Sequence, residues 1–384
     1  MKTWALVVGL NRYPAQTGFT NPLKGAVADA CDFADWALDV DGGNVAPERL
    51  AFWTYPKPDS PTEAVQAYLK TPLPWYDPDA DGPIAADFTK PPPMEVITNT
   101  ALKAANDAAM HHALTGEATR GYIFFAGHGV QTTTYGDAAR IQTCFVTRDF
   151  RPNAMTVMGL IPCDDLKQAL LNNGFGEVAM FLDCCRLGDN AYDRAIPALG
   201  SKNIMAPAEP KWGLGVAAQK NKAAFETTYV PYRGVFSRVL LNGLRTHRDG
   251  GATTLTIDGL RQYVKDNVAS YTTEDQRPSI TSDPDDGTMV VVDSPPRAKT
   301  DGPAAKIVID FDAAAFGANA AATLVDHLGR PCDGPFALDA PPLVVSAATL
   351  AVYGIDVSID GAPATYSKIV DHKGPEDSRV VLEQ

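Results

Sequence analysis

Two short stretches put thiols and an imidazole where a nucleophile could be made. In GYIFFAGHGVQ, an apolar run from Tyr122 to Phe125 leads to Gly127, His128 and Gly129. In FLDCCRLGD, the run from Val178 to Leu182 ends on Asp183, Cys184 and Cys185. Short apolar runs with abrupt polar ends fit buried strands. In an open parallel sheet, such strands deliver their chemistry to the crevice at the carboxyl edge. A thiol and an imidazole would meet there. The thiolate is the attacking form of cysteine, and a neighbouring imidazole can take its proton and later protonate a leaving group. Successive strand side chains point to opposite faces, so only one of the two adjacent thiols can face His128. The other then serves as a small buried hydrophobe.

The order strand, His-Gly, helix, strand, Asp-x-Cys resembles the caspase-like cysteine peptidases, and among them the metacaspases and their bacterial relatives. IFFAGHGVQ is similar to the family's histidine motif, and LDCCRLG to its Asp-x-Cys-x-x-Gly motif. The resemblance implies an α/β fold, an α/β/α sandwich around a mostly parallel six-stranded sheet. It also implies an endopeptidase acting on protein and peptide substrates. Cys185, two residues after Asp183, would be the nucleophile and His128 its acid–base partner. The N–H groups of Gly129 and Cys185 would form the oxyanion hole. Asp29 and Asp183 would line an acidic pocket for Arg or Lys at P1, with Arg favoured because its planar fork pairs bidentately. Read without the resemblance, Asp29 is a solvated helix residue and Asp183 a structural acid at a strand end. The chain also departs from the metacaspase pattern. Ala126 stands where metacaspases commonly place a pocket Ser, and Arg186-Leu187 replaces their His-Ser, so Arg186 could pair with Asp183 and weaken the pocket.

Positioning these groups takes a succession of strands and helices. Trp4 to Leu10 is expected to be the first, central strand, leaving through Gly9-Leu10-Asn11, and Leu23 to Leu38 a helix that carries Asp29. Arg49 to Tyr55 is expected as the second strand, followed by a Pro- and Asp-rich insertion over 56–97. The next helix runs from about Thr98 to Leu114, with Thr98 or Asn99 as its cap. Its adjacent His111 and His112 point about 100° apart and cannot readily share a metal. Ile141 to Thr147 forms a short strand, and Ile161-Pro162-Cys163-Asp164-Asp165 opens a helix through Leu171. Residues 190–222 have no sustained periodicity and suggest a cleavable linker. The resemblance implies a cut there, after Arg194, Lys202, Lys211, Lys220 or Lys222. Ala223 to Val230 would be a fifth strand, Gly234 to Leu244 and Thr256 to Ala269 helices, and Thr288 to Val292 the closing strand. Residues 1–293 would form the peptidase domain, 294–304 a linker, and 305–384 a small β-sandwich-like accessory domain.

Metal-binding patterns are weaker. Asp77, Asp79, Asp81 and Gly82 open like a calcium loop, but Phe88 occupies the twelfth position, where a bidentate Glu belongs. Asp164 and Asp165 suit the capping and dipole needs of a helix start. By resemblance they could instead join Asp137 and Asp189 or Asp193 as calcium ligands. Calcium is therefore a candidate ligand, while the chemistry itself requires no cofactor. His327, Cys332 and His372 are too scattered for zinc. The net charge of −13 argues against general binding to nucleic acid or an anionic membrane. Six cysteines without paired spacing fit reduced thiols in a cytoplasmic protein. The N-terminal residues lack the features of a secretory signal, and no run reaches the roughly 20 apolar residues needed to span a bilayer. Two other functions stay open. The chain could be a latent or non-catalytic regulatory protein awaiting calcium, a partner or an upstream activating protease. Cys185 could also serve a phosphatase or redox protein, although no phosphate loop follows it and C-x-x-C spacing is absent.

Overall fold

A strand covered on both faces has to be apolar along nearly its whole length, and β1 (Lys2–Leu10) is. It is followed by α1 (Ala26–Leu38), β2 (Leu50–Tyr55), α2 (Glu63–Tyr68), α3 (Met94–Thr115) and β3 (Thr119–Ala126). Next come β4 (Gly129–Thr134), β5 (Asp137–Val146), β6 (Leu160–Pro162), α4 (Cys163–Asn173), β7 (Glu177–Asp183), β8 (Leu187–Gly188) and β9 (Lys211–Val216). The unit finishes with α5 (Val235–Thr246), β10 (Thr254–Thr256), α6 (Ile257–Asn267), β11 (Ser279–Ser282) and β12 (Val290–Asp293). The structure is a computed structural model that describes residues 1–59, 61–70, 88–134, 137–152, 158–188, 209–226, 232–249, 253–271, 275–283, 289–296, 306–317, 319–326, 331–346, 351–372 and 378–382.

Six strands form one sheet in the order β11-β9-β7-β3-β1-β2, parallel except for β11. Helices α1 and α5 pack on one face, and α3 and α4 on the other, giving an α/β/α sandwich. The strand alternation in β3 is direct. Phe124 stacks on Phe33 of α1 with ring centroids 4.5 Å apart, while Phe125 turns to the other face and stacks on Phe145 at 4.9 Å. Pairs of this kind add about 0.5–1.5 kcal/mol beyond the area they bury. Arg120 is buried and anchors the other end of β3, bonding to Glu177, the Tyr122 hydroxyl and the Val291 carbonyl. A second sheet, β6-β5-β4-β8, grows from the carboxyl edge of the first.

Several expected elements move. The strand beside β7 is β9, at Lys211–Val216, within the stretch expected to be linker. Its sequence KWGLGV looks weak because glycine disfavours strands, yet both glycines are required by packing. A Cβ on Gly213 would lie 2.5 Å from Ile257, and one on Gly215 2.8 Å from Phe181. Lys211 is therefore a strand residue and unsuited to cleavage. Of the expected strand at Ala223 to Val230, the described part makes only an isolated bridge, between Glu226 and Gly234. The closing strand of the main sheet is β11, while Val290–Asp293 pairs with β10 in a separate ribbon. The helix expected from Thr98 begins at Met94, straight after Pro93, which holds the cap position. Proline's fixed φ suits a helix start. Thr98 lies inside the helix, where its hydroxyl donates to the Met94 carbonyl. Residues 77–82 lie outside the described residues.

The chain divides into two compact units, Met1–Ser294 and Pro295–Gln384. The second contains β13 (Lys306–Phe311), α7 (Ala313–Phe316), β14 (Ala320–Asp326), β15 (Pro331–Ala337), β16 (Leu343–Ser346), β17 (Ala351–Ile359), β18 (Ala362–His372) and β19 (Ser378–Leu382). Its two sheets, β16-β13-β19 and β15-β14-β17-β18, share a core that includes Ile307, Phe311, Ile355 and Val357. It is a small β domain. Among the described residues no helix is long and apolar enough to cross a membrane.

Candidate active site

The β3 and β7 strands are neighbours in register, with Ala126 opposite Asp183, and the Gly127 N–H donates to the Asp183 carbonyl at 3.1 Å. His128 and Cys185 thus each lie two residues beyond the same rung. The two exits stay together, because β4 pairs with β8 through Val130 and Leu187. The glycines flanking His128 do separate jobs. A Cβ on Gly127 would stand 2.4 Å from the Tyr13 hydroxyl. With none there, that hydroxyl accepts the backbone N–H of His128 at 2.8 Å. A Cβ on Gly129 would stand 2.5 Å from Cys184 Sγ and 2.7 Å from the Cys185 carbonyl oxygen. Its absence lets the His-Gly strand lie directly on the Cys-Cys turn. Cys184 is only 2 % exposed, while Cys185 is half-buried.

The His128 ring is held on several sides. Its Nε2 lies 3.3 Å from the Asn21 carbonyl, an acceptor that calls for hydrogen on Nε2 and leaves the Nδ1 lone pair free in the neutral ring. Phe19 stacks on the ring at 4.6 Å with 25° between planes, and Tyr13 lies at 5.0 Å. Burial lowers the imidazole's pKa, and the Asn21 carbonyl opposes this. At Cys185, the Ala224 N–H donates to Sγ at 3.4 Å, and the thiol reaches the Ala224 carbonyl at 3.7 Å. Burial pushes the thiol above its ordinary range; the Ala224 N–H opposes this, while Asp183 and Glu226 add to it. The shifts favour a neutral thiol and a neutral imidazole at rest.

Asp183 and Glu226 act on the Cys185 thiol, Asp29 lies beside Asp183, and each of the three acids has a structural partner. Asp183, 8 % exposed, accepts from the Ser237 N–H at 2.9 Å and the Ser237 hydroxyl at 2.5 Å. Asp29, 2 % exposed, accepts from the Gly234 N–H at 2.7 Å and lies 3.5 Å from Arg233, which is 2.8 Å from Asp32. Both carboxylates therefore meet the start of α5, where backbone N–H groups favour negative charge. Burial raises Asp183 to about 6, with the Ser237 hydrogen bonds opposing. Asp29 is raised in the same sense by burial, with Arg233 opposing. Glu226 accepts the N–H groups of Lys24 and Gly25 at 2.9 and 2.5 Å, tying its segment to the loop before α1.

A family model described as a caspase domain matches residues 2–287. The chain belongs to the caspase family. It carries that family's peptidase domain, and its main sheet and flanking helices are the caspase-like fold. A probable protease of a Desulfuromonadales bacterium is 41 % identical over 59 residues, which cover 15 % of this chain and 7 % of that protein. The crystal structure of protein GSU0716 from Geobacter sulfurreducens aligns over 77 % of this chain and 98 % of that one, with 17 % identity and a TM-score of 0.42.

Within this caspase domain, other expected partners separate. Arg186 donates to the Ala218 carbonyl at 3.1 Å instead of pairing with Asp183. Asp164 lies 3.5 Å from Lys167 Nζ, and its charge also acts on Arg186. Asp165 and Gln142 bond reciprocally, at 2.6 and 3.1 Å. Asp189 lies outside the described residues, as does the side chain of Asp137. Among the described residues no three His, Cys, Asp or Glu side chains converge as a metal site. Tyr13, Phe19, Ala224, Glu226 and Arg233 were not expected at the site. Tyr13, Phe19 and Arg233 come from irregular segments without periodicity, and Ala224 and Glu226 from the stretch expected to be a fifth strand.

Proposed function

We propose that the chain is a cysteine endopeptidase that cleaves after Arg or Lys through a Cys185–His128 dyad. The observation that carries this is the Ala126–Asp183 register, which brings the His-Gly and Asp-x-Cys exits side by side. Cys185 Sγ attacks the scissile carbonyl while its proton passes to His128. The new C–S bond and a tetrahedral oxyanion form, with the N–H groups of Gly129 and Cys185 as donors. Collapse breaks the C–N bond as His128 protonates the leaving amine. Water, deprotonated by His128, then attacks the thioester and frees the thiol. Each oxyanion donor is worth about 100- to 1,000-fold in turnover.

The charges of Asp183 and Glu226 both act on the Cys185 thiol, and a P1 cation placed beside them would relieve that field. Asp29 belongs to the same acidic wall, but Arg233 already balances it. P1 recognition then rests mainly on Asp183. Activation by a cut in the linker is assigned to Arg194 or Lys202, since Lys211 is held in β9, the N–H of Asn221, just after Lys220, donates to the Arg186 carbonyl, and the Lys222 carbonyl accepts the Arg186 N–H. Intact-mass analysis of active enzyme tests this, and an uncut active chain rules it out. A latent form also has support in the hydrogen bonds between the resting thiol and Ala224.

The dyad is tested by treating the protein with a peptidyl chloromethyl ketone ending in Arg and mapping the adduct by mass spectrometry. Modification at Cys185, lost in His128→Ala, supports the reading. Modification at Cys184, or none after linker cleavage, overturns it.

A further inference from the structure

We propose that Phe19 is a positioning residue for His128, a ring stacked on the imidazole that fixes its plane and shields it from water. This rests on the reading of His128 as the catalytic base. The loop that carries Phe19 is built to hold it. At its base, Asn11 bridges the loop, with Nδ2 donating to the Lys24 carbonyl at 3.2 Å and Oδ1 accepting the Val27 N–H at 3.0 Å. The Leu23 N–H closes it further by donating to the Asn11 carbonyl at 2.8 Å. At its tip, residues Ala15–Thr17 form one tight helical turn that ends on Gly18 at φ 79°, a left-handed conformation suited to glycine. The Thr17 hydroxyl donates to the Pro14 carbonyl at 2.7 Å and accepts the Phe19 N–H at 3.3 Å. The result is a ring 4.6 Å from the imidazole centroid and nearly parallel to it, backed at 6.1 Å by Phe150.

The stack supplies what the pair otherwise lacks. Aromatic stacking orients the ring, and the Asn21 carbonyl fixes its tautomer. The ionisable group packed against the ring is Tyr13 from the same loop, whose phenol burial keeps protonated. Burial and the Asn21 carbonyl are the influences on the imidazole, with no charged side chain among them. An apolar cover over the ring therefore keeps it neutral and able to accept the thiol's proton.

The test compares wild type, Phe19→Ala and Phe19→Tyr by NMR titration of the His128 ring, assigned with His128→Gln, and by kcat/KM against pH on an Arg-ended fluorogenic peptide. Phe19→Ala is expected to move the His128 titration and the acid limb of the profile upward by on the order of half to one pH unit. It is expected to lower kcat/KM about tenfold, a part of the roughly 100- to 10,000-fold that a general base supplies. Phe19→Tyr keeps the ring and restores both. An unchanged titration in Phe19→Ala, or equal shifts in both variants, overturns the proposal. Phe19 is a half-buried loop residue, and the NMR readout does not need turnover. An active His128→Gln enzyme would refute the dyad while leaving the stack to be judged by the titration alone.

Discussion

Gly129 lies so close to Cys184 that a Cβ there would stand 2.5 Å from the sulfur, and the Cys185 carbonyl is hardly farther, at 2.7 Å. The contact joins the two motifs. Gly129→Ala should push the His-Gly strand off the Cys-Cys turn and disturb the oxyanion donors. We expect kcat/KM to fall about 100- to 1,000-fold, with about 1–3 kcal/mol lost to overpacking in urea unfolding.

The other flanking glycine predicts a coupling. Gly127→Ala meets the Tyr13 hydroxyl at 2.4 Å, so Tyr13→Phe should relieve part of the clash it creates. Tyr13→Phe alone removes the acceptor for the His128 N–H. The double variant should therefore be less impaired than the two single effects added, by about 0.5–3 kcal/mol in a stability cycle. Strict additivity would contradict the packing described.

These contacts mark what was legible in the sequence. The apolar runs of β1, β3 and β7 declared themselves because strands covered on both faces need them, and the two motifs at their ends followed. The strand β9 was hidden by glycines whose reason, Ile257 and Phe181 pressing on them, exists only in the folded protein. Asp29 and Asp183 were visible as acids, but their ties to Gly234 and Ser237 span 205 and 54 residues. Phe19 and Tyr13 sit in an irregular loop, and nothing local announces their approach to His128.

The raised pKa of Asp183 gives a pH signature. A carboxyl pushed up to about 6 becomes neutral as the pH falls through that value, so KM for an Arg-ended peptide should rise there. Asp183→Asn should show a high KM with little of this pH dependence. For stability, a carboxyl raised above its unfolded value contributes most at low pH and loses that contribution as the pH rises through its folded value. The Tm of Asp183→Asn should therefore gain on wild type from about pH 4 to about pH 7, as thermal scans across that window would detect.

Asp164 and Asp165 are engaged by Lys167 and Gln142. Turnover in excess chelator should therefore equal turnover with added calcium. A chelator-sensitive rate restored by calcium would show that the acids rearrange to bind it.

The buried sulfur of Cys184 does packing work. Cys184→Ala should cost about 1 kcal/mol of stability, in the usual range for a core truncation, and leave kcat/KM within a few-fold of wild type.

Cys185 and His128, at neighbouring strand exits with Asp183 and Glu226 acting on the thiol, are the residues proposed to cleave peptides after a basic residue. The most direct test is turnover of matched fluorogenic peptides with Arg, Lys or Asp at P1 by wild type, Cys185→Ala, Cys184→Ala and His128→Ala. Cleavage after Arg and Lys should survive in Cys184→Ala and vanish in Cys185→Ala and His128→Ala. Turnover that persists in Cys185→Ala, or a preference for Asp at P1, would contradict this assignment.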